Sequence, residues 1–130
     1  MTMKIVRSSS LPYLPASHED PQDPGVVRKV LFTTADISPG QIQMVNWGKL
    51  LPHKSFQAHY HQDMDEVYIL LQGEVEMQVG EETEIMKKGD AVLVPSTQMH
   101  TMKNLLNTSA EFIVFGVSQS NAGKTILASK

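Results

Sequence analysis

The sequence predicts an all-β sandwich or barrel. Short apolar runs recur about every eight to twelve residues and are separated by turns rich in glycine, proline or asparagine, a pattern typical of consecutive short strands. Residues 74–79 alternate without interruption, so that Val75, Met77 and Val79 share one face of a strand and three polar residues share the other. No segment shows a convincing helical period, and only residues 123–130 leave the choice open.

The expected strands follow one another from residue 26 onward. They cover residues 26–33, 41–50, 66–71, 74–79, 83–86, 91–94, 100–105 and 111–117. Gly73 and Gly80 break the chain on either side of the alternating strand, and Pro95 stops the run at 91–94 because it has no backbone donor. We therefore expect one β domain at residues 26–118 of the 130, followed by a tail at 119–130.

Residues 1–25 have a different composition. Four of the seven prolines fall here, together with a run of three serines at 8–10. Proline fixes φ and removes a donor, so this segment is predicted to be an extended arm. Two interpretations stay open: a loosely ordered leader, or an arm that packs on a partner subunit.

Composition restricts the function classes. The chain has no cysteine, which excludes disulfides and thiolate metal sites, so that any metal must be held by imidazole and carboxylate groups. The net charge of −3 argues against nucleic acid or an anionic membrane as the main partner. No apolar run suits a signal peptide or a membrane span, and we expect a soluble, cytoplasmic protein.

Four residues have the chemistry of a metal site. His59 and His61 are two apart, so on a strand both side chains project to the same face. Glu66 opens the next expected strand, and His100 begins a later one just beyond Pro95. Each of these signals is weak by itself, because an isolated His-x-His is usually a pair of surface histidines.

The spacing around these residues resembles the two cupin motifs. Residues 59–73 match the first motif, His-x-His, three or four residues, Glu, six residues, Gly. Residues 89–104 match the second, with Gly89, Pro95, His100 and Asn104 at its offsets. The resemblance covers about residues 40–117. The chain departs from the family at two turn positions, where His53 and Thr97 replace a frequent glycine, which affects loop shape and not the ligands.

The resemblance implies a fold and a metal. The fold is a double-stranded β-helix, the jelly-roll or cupin barrel, preceded here by the extended arm. The implied ligands of one divalent transition metal are His59, His61, Glu66 and His100, with Asn104 supporting the strand pairing. Iron or manganese suits such a nitrogen–oxygen set best, and nickel, copper, cobalt or zinc also fits. Because small cupins commonly pair through N-terminal strands, a homodimer is expected.

Three functions remain open from the sequence. The first is a small metalloenzyme with an oxygenase-type or lyase-type reaction, the second a non-catalytic binding or sensor module, and the third a purely structural metal site. Tyr68 is the expected catalytic residue, because it shares the face of Glu66 on a regular strand. Inward residues of the neighbouring strands are candidates for the pocket wall, although core packing is the commoner role of such residues: Met44 or Val45, Trp47, Phe56, Met102, Phe112 and Val114.

The distribution of arginine bears on the substrate. Arginine occurs only at Arg7 and Arg28, and a guanidinium is the usual clamp for a carboxylate or phosphate. The sequence therefore predicts a small neutral or aromatic substrate, unless Arg28, Lys49 or Lys103 reaches the site.

Overall fold

Two antiparallel sheets make up the fold in the computed structural model, which describes residues 8–33, 42–118 and 125–128. The described part has one 3-10 turn at Ser8–Ser10 and eleven strands, and it contains no α-helix. The strands are β1 Leu14–Pro15, β2 Val26–Thr33, β3 Ile42–Leu50, β4 His59–His61, β5 Asp65–Gln72, β6 Glu74–Val79, β7 Glu82–Lys87, β8 Ala91–Val94, β9 His100–Asn104, β10 Ala110–Val117 and β11 Thr125–Leu127. Within the described residues, no helix has the length and apolar character needed to cross a membrane.

The two sheets have the order expected of a double-stranded β-helix. One sheet runs β1-β2-β3-β10-β5-β8 and the other β11-β4-β9-β6-β7. Strands that are consecutive in sequence often belong to different sheets: β5 and β6 are separated by Gly73 alone, whose φ of 100° turns the chain from one sheet to the other. The predicted all-β jelly-roll class is confirmed.

The strand bounds follow the apolar patterns closely. Residues 26–33, 74–79 and 91–94 form strands as expected, and the other predicted runs differ by a residue or two at their ends. Gln41 of the second expected strand lies outside the described residues. Two short strands beyond residues 26–118 also join the sheets, since β1 pairs with β2 and β11 pairs with β4.

The core lies between the two sheets. Strands of both sheets contribute well-buried apolar side chains to it, among them Leu50, Leu70, Val75, Met77, Val94, Met102, Ala110 and Phe112. Along β10, buried and half-buried residues alternate without a break, as a strand with one face in the core requires. Gly48 of β3 is needed for this packing, because a Cβ there would overlap the ring of Phe112.

One predicted lining residue, Trp47, is on the wrong face. Its indole Nε1 donates to Glu111 Oε1 at 3.2 Å, beside Tyr13, whose hydroxyl donates to the same oxygen at 2.9 Å. The inward position on β3 belongs instead to Asn46, which is 7% exposed. The prediction for Trp47 is wrong because the pleat of β3 turns Asn46, Gly48 and Leu50 inward and therefore Trp47 outward.

The two turns that lack the family's glycine keep a left-handed backbone. His53 has a φ of 56° and Thr97 a φ of 71°, and they are the two non-glycine residues with positive φ in the described part of the chain. At Thr97 the backbone N–H donates to the carbonyl of His61 at 2.7 Å, which joins this turn to the strand that carries two of the site histidines. The turn shape is thus retained although a β-branched residue disfavours it.

Candidate metal centre

The four expected ligands converge between the two sheets. His59 and His61 come from β4 and His100 from β9 in one sheet, while Glu66 comes from β5 in the other. His59 and His100 are direct partners across the β4–β9 pair. All four side chains are buried, and one ligand atom from each lies within 4.8 Å of all the others. The His-x-His spacing is weak evidence by itself in the sequence, but in the structure the two histidines belong to a compact cluster with Glu66 and His100.

Each histidine is oriented by a hydrogen bond at Nδ1. The Nδ1 of His59 pairs with the carbonyl of Gln57 at 2.7 Å, and that of His100 with the carbonyl of Gln98 at 3.0 Å. The Nδ1 of His61 lies 3.0 Å from Thr125 Oγ1 on β11. A hydrogen bond at one ring nitrogen fixes the ring and leaves the other to a metal, which is the usual arrangement around metal-binding histidines.

The distances within the cluster fit an ion. Glu66 Oε1 lies 2.9 Å from His61 Nε2 and 3.0 Å from His100 Nε2. Two donors about 2.1 Å from one metal and at right angles to each other are about 3.0 Å apart, so this spacing suits adjacent ligands of an octahedral or tetragonal ion. The residues therefore fit a divalent transition metal.

The charges in the cluster are set by mutual contacts. Burial opposes ionisation of Glu66, but hydrogen bonds from His100 and His61 outweigh it and hold the pKa of Glu66 below its usual range. Burial lowers the pKa of His59 to about 4, with the charge of His100 acting in the same direction. An ionised carboxylate and a neutral imidazole are the forms that bind metals.

Tyr68 stands beside the cluster as expected. Its hydroxyl donates to Glu66 Oε1 at 3.1 Å and lies 3.4 Å from His100 Nε2. Burial, followed by the negative charge of Glu66, raises the pKa of Tyr68 well above its usual value. The phenol therefore stays neutral at ordinary pH, so it is suited to donate a hydrogen bond and not to act as a base.

The cluster opens into a cavity of about 210 Å³. This is below the range of about 300–1,000 Å³ that is common for ligand pockets, which favours a small molecule. One part of the wall is apolar and consists of Val26, Met44, Phe56, Met64, Phe112 and Val114. Another part is polar and holds residues that the sequence did not place at the site: Ser17, His18, Gln43, Asn46 and Thr125.

Arg28 also lines this cavity. The sequence predicted a neutral or aromatic substrate unless a cationic side chain reached the site. Arg28 does reach the site, so the argument for a neutral substrate no longer applies. The two lysines do not reach it: Lys49 Nζ lies 4.8 Å above the ring of Tyr13, and Lys103 is exposed.

His18 brings part of the N-terminal segment into the site. Its ring stacks on His59 with centroids 4.2 Å apart, and neighbouring Ala16 is buried in the core. Burial, together with the charge of His59, lowers the pKa of His18 to about 3. Residues 16–18 thus pack against the chain's own barrel, a role that neither interpretation of the arm included. No signal in a proline-rich segment could have placed His18 there.

Three buried side-chain nitrogen or oxygen atoms of the described residues make no hydrogen bond, and all three belong to residues of this cavity. They are His18 Nε2, Arg28 Nε and Asn46 Oδ1. His18 Nε2 has Glu19 Oε2 nearby at 3.5 Å. A buried polar atom without a partner costs about 1–3 kcal/mol, so a folded protein seldom keeps several in one place without a use for them.

The lowered histidine pKa values predict a pH dependence of the metal-free protein. His18 and His59 keep folded-state pKa values of about 3 and 4 against 6.5 in the unfolded chain, so the unfolded chain takes up protons first as the pH falls. The free energy of unfolding should therefore decrease by about 2–4 kcal/mol from pH 7 to pH 5. Urea denaturation at a series of pH values measures this slope.

Two variants control the pH experiment. His18→Gln should remove about half of the slope. His53→Asn removes an exposed histidine and tolerates the left-handed backbone there, so it should leave the slope unchanged. Equal stability of the metal-free protein at pH 7 and pH 5 would contradict the buried, neutral state of the two rings.

The fold and the site together define a jelly-roll barrel with a buried three-histidine, one-glutamate cluster. A family profile described as Cupin domain matches residues 46–116, which is more than half of the chain. The chain therefore belongs to the cupin domain family, as the two motifs predicted. No curated protein matches the chain.

Solved structures with the same fold include proteins of different described functions. A predicted oxalate decarboxylase from Thermotoga maritima is 25% identical, with a TM-score of 0.78 over 88% of this chain and 99% of that one. The polyketide cyclase RemF from Streptomyces resistomycificus is 17% identical, with a TM-score of 0.76 over 99% and 89%. KdgF from Halomonas sp. is 19% identical, with a TM-score of 0.73 over 92% and 97%. The last two likenesses establish the fold alone.

Proposed function

We propose that this protein is a small metalloenzyme that holds one divalent transition metal, with iron or manganese favoured, at His59, His61, Glu66 and His100. The observation that carries the proposal is the orientation of the three imidazoles. Each has its Nδ1 engaged in a hydrogen bond, so Nε2 is the nitrogen that could bind a metal, and the Nε2 atoms of His61 and His100 face Glu66 Oε1. Such a set also opens directly into a cavity, which favours a reactive site over a purely structural metal.

When bound, the metal would supply Lewis acidity or a redox couple to a small molecule in the cavity. The protein's own contribution is to orient that molecule and to limit the access of water. The apolar wall around Met44, Phe112 and Val114 suits a hydrocarbon or aromatic portion of the substrate. The neutral hydroxyl of Tyr68 can give a hydrogen bond to a developing negative charge, because its raised pKa keeps the proton in place.

The reaction class is oxygenase-type or lyase-type. The description of the Thermotoga maritima structure names a decarboxylase, and decarboxylation is a lyase-type reaction. That description supports the lyase-type alternative without deciding the substrate, because one barrel can carry many chemistries. A cytoplasmic homodimer remains part of the proposal, and light scattering of the purified protein checks the dimer.

Turnover by a metal-loaded protein tests the proposal. Untagged protein is purified, its metal content is measured, and the metal-free form is reloaded with iron(II) or manganese(II). Oxygen uptake and carbon dioxide release are then followed over a panel of catechols, diketones, thiols and hydroxy acids. We expect metal-dependent turnover of at least one compound class. Metal binding without turnover of any would favour the binding or sensor module.

Tyr68→Phe separates catalysis from metal binding. The variant loses only the hydroxyl, so we expect an unchanged metal content and a kcat lower by about a hundredfold or more. Tyr60→Phe is the matched control, because Tyr60 lies between the two site histidines on the opposite face of β4 and does not line the cavity. An unchanged kcat would show that the hydroxyl has no catalytic role, and loss of metal from Tyr68→Phe would show that the hydroxyl supports metal binding instead.

A further inference from the structure

Arg28 has an unusual environment for an arginine. It lies on β2 directly opposite Gly48 of β3, and it lines the cavity together with His59, His61 and Glu66. The ion pairs found among the described residues do not include it, and the one side-chain hydrogen bond that it makes to a described residue runs from Nη1 to Ser17 Oγ at 3.5 Å, the outer limit of such a contact. Its Nε is buried without a partner. A half-buried guanidinium normally has a carboxylate beside it.

Asn46 lies next to Arg28 on the same face of the sheet. Asn46 pairs with Val30 on β2, so it is the diagonal neighbour of Arg28 across the strand pair, within reach of a long side chain. Its Oδ1 is buried and lacks a donor. Arg28 Nε–H thus lacks an acceptor and Asn46 Oδ1 lacks a donor. Both residues line the cavity that holds the proposed metal ligands.

The charge of the cavity points in the same direction. Among the described residues that line it, Glu66 is the one acidic residue, and its carboxylate is already engaged by His61 and His100. With a divalent ion in place, the lining would carry an excess of positive charge. Burial lowers the pKa of Arg28. An anion that enters this cavity would therefore meet complementary charge with little competing water.

We propose that Arg28 and Asn46 form a subsite for a small carboxylate that also carries a hydroxyl group. The carboxylate would accept hydrogen bonds from the guanidinium, including its Nε–H, in the two-pronged geometry of such pairs, and the hydroxyl would donate to Asn46 Oδ1. This inference rests on the proposed function, because it takes the cavity beside the metal ligands as the place where the substrate binds. The substrate class becomes hydroxy acids with a small apolar or aromatic remainder.

Binding of simple probes to the metal-free protein tests the subsite. The probes are lactate, lactamide, which lacks the carboxylate, and propionate, which lacks the hydroxyl. The chain has two arginines, so the Arg28 Nε–H resonance can be assigned by its loss in Arg28→Met and followed during each titration. We expect that resonance to shift saturably with lactate, and we expect lactate to bind about tenfold more tightly than lactamide.

Three variants give the inference its specificity. Arg28→Met should weaken lactate binding about tenfold or more, and Asn46→Leu should abolish the preference for lactate over propionate. Lys29→Gln is the matched control: it removes one positive charge from the same strand, at a residue whose Nζ lies 4.7 Å above the ring of Tyr13 and not in the cavity. Its affinity for lactate should stay within about twofold of wild type.

The melting temperature of Arg28→Met provides a second test, because replacing an arginine that only stabilises the fold would lower it. Without ligand, Arg28→Met replaces an unpaired, partly buried charge by an apolar side chain of similar length, so its melting temperature should rise by about 2–4 °C. A lower melting temperature would show that Arg28 serves the fold. Equal binding of lactate and lactamide, no binding of either, or unchanged lactate affinity in Arg28→Met would overturn the subsite.

The outcomes distinguish the subsite from the metal centre. Metal content is measured on the same preparations. Arg28-dependent lactate binding by a chain that takes up no metal would support the subsite and contradict the proposed function. Normal metal uptake, combined with lactate binding that does not depend on Arg28, would contradict the subsite and leave the metal centre of the proposed function intact.

Discussion

Glu66→Gln is expected to abolish tight binding of divalent metal and, with it, the stabilisation that the metal provides. Glutamine keeps the shape of the side chain but removes the negative charge and one good donor atom. Glu66 Oε1 lies within 3.0 Å of both His61 Nε2 and His100 Nε2. Loss of the carboxylate charge therefore removes the anionic centre of the cluster. We expect the metal affinity to fall by about a hundredfold or more.

Thermal unfolding with manganese(II) or with a chelator measures this loss. A ligand at about a thousand times its Kd stabilises a protein by about 4 kcal/mol, so wild type should melt several degrees higher with the metal than with the chelator. Glu66→Gln should show almost no difference between the two conditions. Glu84→Gln removes the same charge from an exposed position on β7 and should behave as wild type. An equal metal-dependent shift in Glu66→Gln would place the metal elsewhere.

Asn104→Ala is expected to destabilise the barrel by about 3 kcal/mol or more. The side chain is fully buried, and its Nδ2 donates to the carbonyls of Leu50, Leu51 and Thr108 at 3.1, 3.2 and 2.8 Å. Its Oδ1 accepts from the backbone N–H of Leu106 at 2.9 Å. Alanine would leave four backbone groups without this partner, and it would also leave a small cavity.

Urea denaturation of the metal-free form isolates this effect from metal binding. Asn107→Ala changes an exposed asparagine in the same turn and should alter the free energy of unfolding by less than about 0.5 kcal/mol. If both variants unfold at the same urea concentration, Asn104 does not hold the turn to the end of β3.

The motif predicts that Asn104 supports strand pairing. In the structure this role is more specific, because Asn104 joins the β9–β10 turn to the chain at the end of β3.

Much of the fold was predictable because its signals are local. Alternation along β6 and the breaks at Gly73 and Pro95 depend on neighbouring residues, and the strands follow them. The convergence of His59, Glu66 and His100 is not local. It was expected only because their fixed offsets from turn residues resemble a known family, since spacing alone does not bring residues of two sheets together.

The polar wall of the cavity was not predictable in the same way. His18 reaches the site from a proline-rich segment, and Thr125 from a strand of three residues near the end of the chain. Neither segment has a pattern that specifies its docking position. Asn46 gives no sequence signal of its inward position, because a polar residue inside an apolar run usually faces outward, and functional sites are where that rule fails.

Anomalous scattering from a crystal of the metal-loaded protein tests the metal centre most directly. A data set at the absorption edge of manganese or iron should show one strong peak per chain, within about 2.0–2.2 Å of the Nε2 atoms of His59, His61 and His100 and of a carboxylate oxygen of Glu66. The same crystals grown from Glu66→Gln should lack it. A peak at other residues, or no peak in wild type at millimolar metal, would contradict the assignment of these four side chains as the metal ligands.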